Sequence, residues 1–325
     1  MAAFGIRFDL RNPAFSGASM AERVEAALGM AGWADQLGAR LIVLVEHHGS
    51  EDGYLPSPLT LGAAVAARTR AATVRLFLNA SFYDPLRLAE DLAILDLIGK
   101  GRIDVNLVAG YVPQEFAMFG VPMSERPARM NEVVATLRAA WTGEPFEFRG
   151  RTVRIRPTPY RPGGPPLTLG GSTEAAARRA ARIGDGFAPG LPTLWEFYRD
   201  ECVKLGKPDP GPARRATAAV TMLSLDPRRG WDELAPYFLH EAKAYGAWEA
   251  TRAGDVLHPQ VEDVEALRQS GVYRVLTPQE YLAELRAAGP AAFAMLHPMV
   301  GGIPPELAWQ HLRLFEHEVL SGLHR

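Results

Sequence analysis

Eight short apolar runs, rich in β-branched and aromatic residues, alternate along this chain with stretches whose apolar residues recur at helical spacing. The clearest run is Leu41-Ile-Val-Leu-Val45, which ends abruptly in Glu46-His47-His48-Gly49. A run of that length and composition reads as a strand buried on both faces, the habit of parallel sheets. The strands read along the chain are Phe4–Leu10, Arg40–Val45, Val74–Asn79, Arg102–Val108, Leu167–Leu169, Phe187–Ala188, Ala216–Leu225 and Phe293–His297. The early units run to about 30 residues each, the size of a strand–helix–strand crossover. Right-handed crossovers let such a sheet close on itself. The expected fold is therefore α/β, a (β/α)8 TIM barrel, with residues 1–325 as one domain.

Local signals support the helices between the strands. Ser19 reads as an N-cap, and Glu22 three residues on completes a capping box. Gly38 stops that helix, Pro85 opens another, and Gly99-Lys-Gly101 closes it. Two segments break the alternation. Phe146 to Gly164 reads as a hairpin and a proline-rich loop, an excursion between strands four and five. Before strand eight, a loop at Thr251 to Gln260 precedes two helical patterns, Val261 to Gln269 and Pro278 to Ala288.

Composition narrows the function classes. A net charge of -2 argues against nucleic acid or an anionic membrane as the main partner. Cys202 is the one cysteine, so no intramolecular disulfide forms; it reads as a half-buried structural thiol in a reducing cytoplasm. No basic segment followed by an apolar one opens the chain, and no apolar run is long enough to span a membrane.

An α/β barrel keeps its chemistry at the C-terminal ends of its strands, and four features gather there. The first is Glu46-His47-His48. A metal set drawn from Glu46, His47, His48, Asp52 and His297 is one reading, but adjacent strand residues point to opposite faces, so His47 and His48 do not readily share an ion. Hydrogen-bonded structural histidines are the plain reading, and an imidazole placed to move a proton beside a cofactor is the third. The second feature is Gly170-Gly171-Ser172-Thr173 ahead of a helix. Two glycines, two hydroxyls and a helix N-terminus make a phosphate cradle, or an ordinary capped turn. Third, Asn106 is an amide inside an apolar strand and needs a partner in the core or on a ligand, while Gly110-Tyr111 past the strand end offers a ring to cover a flat ligand. Fourth, Asn79-Ala80-Ser81 puts small side chains at the end of strand three. No Walker loop or G-x-G-x-x-G is present.

The chain resembles the bacterial luciferase-like family of flavin-dependent monooxygenases and their deazaflavin-dependent relatives. The matching pieces are Val45-Glu46-His47-His48, Asp84-Pro85 through Asp91, Asp96 to Arg102, Gly110-Tyr111 with Glu115-Phe116 and Phe119 to Pro122, Arg126 to Glu132, Gly170-Gly171-Ser172, Ala181 to Gly186, Leu276 to Glu280 and Gly301 to Pro304. The resemblance implies an FMN- or deazaflavin-binding barrel, often dimeric. It implies His47 beside the reactive ring, Asn79 and Ala80 against the ring, where relatives often carry a non-proline cis peptide, and Gly170, Gly171 and Ser172 on the phosphate. Asn106, Gly110 and Tyr111 complete the expected cofactor set.

Ala109 stands where many relatives have an arginine, which shifts phosphate binding toward Arg126 or Arg129. Asp84-Pro85 replaces the usual His-Pro. Asn106-Leu-Val-Ala-Gly110 is similar to the sulfonate-oxidising branch, and Glu46-His47-His48 differs from the Asp-His of deazaflavin members; both favour FMN. The implied activity is oxygenation of a small, apolar organic substrate with O2 and reduced FMN from a separate reductase. Alternatives are hydride transfer with a deazaflavin, a metal-dependent barrel hydrolase built on His47, His48 and His297, and a flavoprotein without turnover.

Overall fold

The structure is a computed structural model that describes residues 3–213, 220–250, 261–289 and 292–323. The expected Thr251 to Gln260 loop and the start of the seventh expected strand lie outside them. In chain order the elements begin with β1 (Ala3–Phe8), α1 (Met20–Gln36), β2 (Leu41–Leu44), α2 (Pro58–Arg68), β3 (Thr73–Asn79), α3 (Pro85–Gly99) and β4 (Ile103–Val108). Then come α4 (Pro113–Phe119), α5 (Arg126–Ala140), β5 (Phe146–Phe148), β6 (Arg151–Val153), β7 (Leu167–Gly171), α6 (Glu174–Ile183), β8 (Gly186–Pro189) and α7 (Leu194–Lys204). The rest are β9 (Val220–Leu223), α8 (Pro227–Glu249), α9 (Val264–Ser270), β10 (Tyr273–Leu276), α10 (Pro278–Ala288), β11 (Phe293–Leu296) and α11 (Pro305–Leu314), which continues as a π-helical turn to Leu320. No helix among the described residues is long and apolar enough to cross a membrane.

The helix boundaries follow from caps. Ser19 and Glu22 make the reciprocal capping box at α1. Asp84 accepts from the N–H groups of Leu86 and Arg87, and Pro85 takes the first position of α3. That helix ends on Lys100 in the left-handed region, and Gly101 at φ 81° turns the chain into β4.

The chain forms two compact units, Met1–Pro56 with Ala216–Arg325, and Ser57–Arg215. In the first unit β11, β1 and β2 pair in parallel, with Gly5 opposite both Met295 and Leu41 and Arg7 opposite Val43. Ile6 and Phe8 on one face of β1 are buried among apolar side chains. The other face carries Arg7 and leads to Asp9. β9 and β10 form a separate parallel pair. Arg23 of α1 is buried and donates to the carbonyls of Gly302 and Ile303 and to Asn12 Oδ1, tying α1 to the segment that enters α11.

In the second unit β3, β4, β7 and β8 lie side by side in parallel. Leu88, Leu92 and Leu95 of α3 are buried. Arg102 gathers the end of α2 by donating to the carbonyls of Ala66, Thr69 and Ala72. The excursion forms as expected, with β5 and β6 an antiparallel hairpin. It is anchored at Asp96, a fully buried carboxylate that accepts from the backbone N–H of Arg161 at 2.9 Å and from its guanidinium at 3.3 Å.

Three expectations need correction. The described residues hold nine parallel strands, not eight: β10 lies between the two helical patterns before the last strand. It was hidden because Tyr-Arg-Val-Leu is too short to show a period, and Gly271 at φ 68° ends α9 only two residues earlier. The residues after Tyr111 read as an irregular loop before the long helix that begins near Arg126, whereas α4 forms there, opened by Pro113 and closed by Gly120 in the left-handed region. And β7 runs on to Gly171, so the two glycines lie in the strand and not in a loop.

Replacing Asp96 by Ala strands the Arg161 N–H and guanidinium that it serves. We expect a loss of about 1–3 kcal/mol in urea unfolding, with the far-UV circular dichroism of the folded protein unchanged.

Candidate active site

In the second unit, the expected residues at the ends of β3, β4 and β7 do come together. Asn79 caps the short turn after β3, its Oδ1 accepting from Ser81 N–H at 3.3 Å. The Ser81 hydroxyl donates to the Ala109 carbonyl at 2.8 Å, joining the end of β3 to the end of β4. Ala80 is buried beneath this turn. Gly110 has φ 81°, and a Cβ there would stand 2.4 Å from Asn79 Nδ2 and 2.9 Å from the Phe116 ring. Only glycine lets the strand exit pass so close to the Asn79 amide. Tyr111 follows, half-buried, at the entrance to α4. The peptide after Asn79 is trans; the one cis peptide among the described residues is Arg156–Pro157.

Asn106 is the central residue of this group. It lies in β4 opposite Phe77 and Thr168 and is 2 % exposed, yet its Oδ1 has no hydrogen-bond partner among the described residues. A Cβ on Gly170 would stand 3.6 Å from that oxygen and 2.7 Å from Val108 Cγ1. A Cβ on Gly171 would meet Ala176 at 2.4 Å. The glycines are thus required first by packing within the unit, a reason the sequence reading did not contain. Thr173 spends its hydroxyl capping α6, accepting from Ala176 N–H at 3.2 Å, which leaves Ser172 as the hydroxyl of the cradle.

Arg126 and Arg129 have other work. Arg126 donates to the carbonyls of Met123 and Gly110 and lies over the Phe116 ring, so it secures α4. Arg129 pairs with Glu125 at 3.0 Å. The same region carries an apolar wall that sequence reasoning missed: Phe82 stacks on Phe119 with ring centres 4.5 Å apart and meets Phe116 edge-on. Its signal lay in α4, whose existence the proline-opened loop concealed.

In the first unit, His47 and His48 diverge as adjacent residues should. His48 Nε2 meets Glu46 Oε1 at 2.9 Å. The His47 ring stacks on Trp248 at 4.2 Å, with Tyr54 and Tyr245 edge-on at 4.9 and 6.2 Å. Its backbone N–H donates to the Leu55 carbonyl. Both Tyr245 and Trp248 come from the last turns of α8, which no short-range pattern links to residue 47.

Beneath this aromatic group lies Arg11, completely buried, with its guanidinium 4.8, 4.9 and 4.8 Å from the Tyr54, Tyr245 and Trp248 ring centres. Its Nη1 donates to Asp52 Oδ2 at 2.6 Å. Asp52 also meets His240 at 2.8 Å. Asp52 is therefore a structural counter-ion, and His297 faces Asp9 at 3.2 Å. The three histidines of the hydrolase reading keep separate partners.

Burial by itself would raise the Asp52 carboxyl. The His240 hydrogen bond, the Arg11 charge and the Ser50 hydroxyl outweigh it and hold it well below the usual carboxylate range. The stability this adds is fully present above the ordinary aspartate value near 4 and is lost as pH falls below it toward the folded value. Thermal unfolding followed from pH 7 down to pH 2 should show that acid limb, and Asp52→Asn should be less stable at pH 7 and visibly flatter below pH 4.

Comparison with known proteins places the chain in a family. The family model described as luciferase-like monooxygenase matches residues 3–293. The FMNH(2)-dependent dimethylsulfone monooxygenase of Pseudomonas fluorescens (strain Pf0-1) is 30 % identical over 206 residues, 57 % of this chain and 55 % of that protein. The F420-dependent glucose-6-phosphate dehydrogenase of Nocardia farcinica is 31 % identical over 201 residues, 54 % of this chain and 60 % of that one. The chain thus spans little more than half the length of these curated relatives. The crystal structure of monooxygenase RslO1 from Streptomyces bottropensis superposes with a TM-score of 0.69 at 27 % identity, covering 99 % of both chains. With the family model matched over nearly its whole length, this chain belongs to the luciferase-like monooxygenase family.

Proposed function

We propose that this chain is an FMN-dependent monooxygenase that oxygenates a small, apolar organic molecule. The observation that carries the cofactor is Asn106. A buried amide oxygen without a donor destabilises the fold by about 1–3 kcal/mol, and a polar-edged ring brought alongside β4 relieves it. Ser172 and the N-terminus of α6 suit a phosphate. Asn79, Ala80, Gly110 and Tyr111 offer a small-residue surface with an aromatic edge, and Gly170 and Gly171 keep the backbone of β7 bare. These residues fit the group, with Ser172 and the helix taking the part that an arginine at position 109 plays in many relatives.

Bound reduced FMN supplies the two electrons with which O2 delivers one oxygen atom to substrate and one to water. His47 holds or moves the proton that such a reaction needs, and Trp248 and Tyr54 fix its ring plane. The stacked Phe82 and Phe119 favour an apolar substrate. A separate reductase supplies the reduced flavin, and the protein works in the cytoplasm. We read the whole chain as one (β/α)8-type barrel domain with an added strand, in line with its likeness to RslO1 over 99 % of both chains. A second reading, hydride transfer with a deazaflavin, draws on the Nocardia farcinica relative.

An anaerobic fluorescence titration against reduced FMN, oxidised FMN and oxidised deazaflavin separates the two. Preferential binding of reduced FMN supports oxygenation, whereas preference for the deazaflavin overturns it. His47→Asn should keep its affinity for reduced FMN while losing about 100- to 10,000-fold of turnover on whichever of a panel of small organic molecules the wild type oxygenates. Equal loss of binding would instead make His47 a structural residue.

The active form in this reading is a homodimer. On α3, Ile94, Leu97 and Ile98 form an apolar stripe at helical spacing and stand 46 %, 38 % and 39 % exposed. A second copy is the occupant we assign to it. Ile94→Glu with Leu97→Glu should turn a dimer into a monomer by analytical ultracentrifugation; a dimer that persists would move the interface elsewhere.

A further inference from the structure

One buried cluster in the first unit is not used by the proposed chemistry. Asp9 follows the last residue of β1, His297 follows the last residue of the neighbouring β11, and Glu241 comes from the middle of α8. They are 1 %, 5 % and 3 % exposed. One ligating atom from each lies within 4.8 Å of the other two.

The hydrogen bonds around the cluster sort its atoms. Asp9 Oδ1 accepts from the Arg11 backbone N–H at 3.1 Å, whereas Asp9 Oδ2 has no hydrogen-bond partner among the described residues. Glu241 Oε2 accepts from the Tyr273 hydroxyl at 2.7 Å, so Oε1 is the oxygen left for an ion. His297 Nε2 stands 3.2 Å from Asp9 Oδ2 but is misaligned for a hydrogen bond and has no other partner. Each carboxylate is thus steered from outside by a donor on one oxygen. Metal ligands are held in this way by their surroundings.

The neighbouring guanidiniums are engaged with other groups. The guanidiniums near Asp9 are those of Arg7, Arg11 and Arg23. Arg11 is paired with Asp52 and faces three aromatic rings, and Arg7 donates to the Tyr245 hydroxyl at 3.0 Å.

We propose that Asp9, Glu241 and His297 form a binding site for one first-row divalent cation, zinc being the reference ion. A single imidazole with two carboxylates suits zinc-type ions, whereas calcium and magnesium favour all-oxygen sets. Bond lengths of about 2.0–2.2 Å require the three atoms to draw together by roughly 1 Å. The ion would clamp two adjacent strand ends to α8, the helix that carries Trp248 and Tyr245 over His47. Its role is structural, and it does not rest on the flavin reading.

The test uses the full chain, stripped with a chelator and titrated with zinc against a chromophoric competitor. We expect one zinc per chain and a higher melting temperature in its presence. Asp9→Asn or His297→Gln should weaken binding by roughly 100-fold or more, and Tyr273→Phe by about 10- to 100-fold. His317→Gln, at a surface histidine, should change nothing. Should the ligand variants fail to fold, cobalt(II) added to the stripped wild type should give the visible bands of a low-coordinate nitrogen–oxygen site. No zinc or cobalt uptake by the stripped protein, or uptake that folded His297→Gln retains, overturns the proposal and leaves a proton as the occupant.

Discussion

The ion pair between Arg11 and Asp52 supports the arrangement of the first unit. A guanidinium with no exposed surface needs partners that offset its charge, and removing one member of a buried ion pair costs about 3–5 kcal/mol. Asp52 meets it at 2.6 Å and is itself steadied by Ser50 and His240. Once held, the guanidinium is a flat positive plate against which Tyr54, Tyr245 and Trp248 arrange their rings. Those rings enclose His47. The position of the imidazole is thus inherited from a salt bridge it does not touch.

The second unit solves a different problem. Its strands end in polar groups that must be satisfied as the chain leaves the sheet. Ser81 serves the Ala109 carbonyl, Arg126 serves those of Gly110 and Met123, and Asn79 serves Ser81 N–H. The result is a set of closely spaced backbone turns in which one glycine, Gly110, permits contact that any side chain would forbid. Among the described residues of this unit, Asn106 Oδ1 is a buried acceptor left without a partner at the strand ends. A buried polar atom left over after the protein has satisfied its neighbours calls for an explanation.

Strand parity links the two kinds of chemistry in the first unit. Because Arg7 is opposite Val43 and Gly5 opposite Met295, the side chains of Arg7, Asp9 and His297 belong to one face of neighbouring strands. Ile6 and Phe8 take the other face and fill the apolar core. A one-residue slip would exchange them, placing two arginines' worth of charge, with Asp9, in the hydrocarbon layer. Register is therefore fixed by charge as firmly as by apolar burial. Tyr273 brings β10 into the same network through Glu241, which gives that short strand an electrostatic reason to be where it is.

Much of this was legible from residues alone. The parallel strands with buried cores, the capping box at Ser19 and Glu22, the hairpin of the excursion and the polar strand ends all rest on signals a few residues long, and those survive folding because neighbours in sequence remain neighbours in space. The family resemblance rested on the same short pieces. Composition and spacing did not show β10, whose four residues take their strand conformation from β9, or α4, whose seven residues are too few to display a helical period. Nor could they reveal that Gly170 and Gly171 answer to Val108 and Ala176. The partners of His47, Asp52 and His297 arrive from α8 and β1, nearly 200 to almost 290 residues away along the chain. Sequence by itself determined which groups are available at the strand ends. Tertiary structure decided which of them meet, because a buried charge takes whichever counter-charge the packing of distant elements brings within a few ångströms.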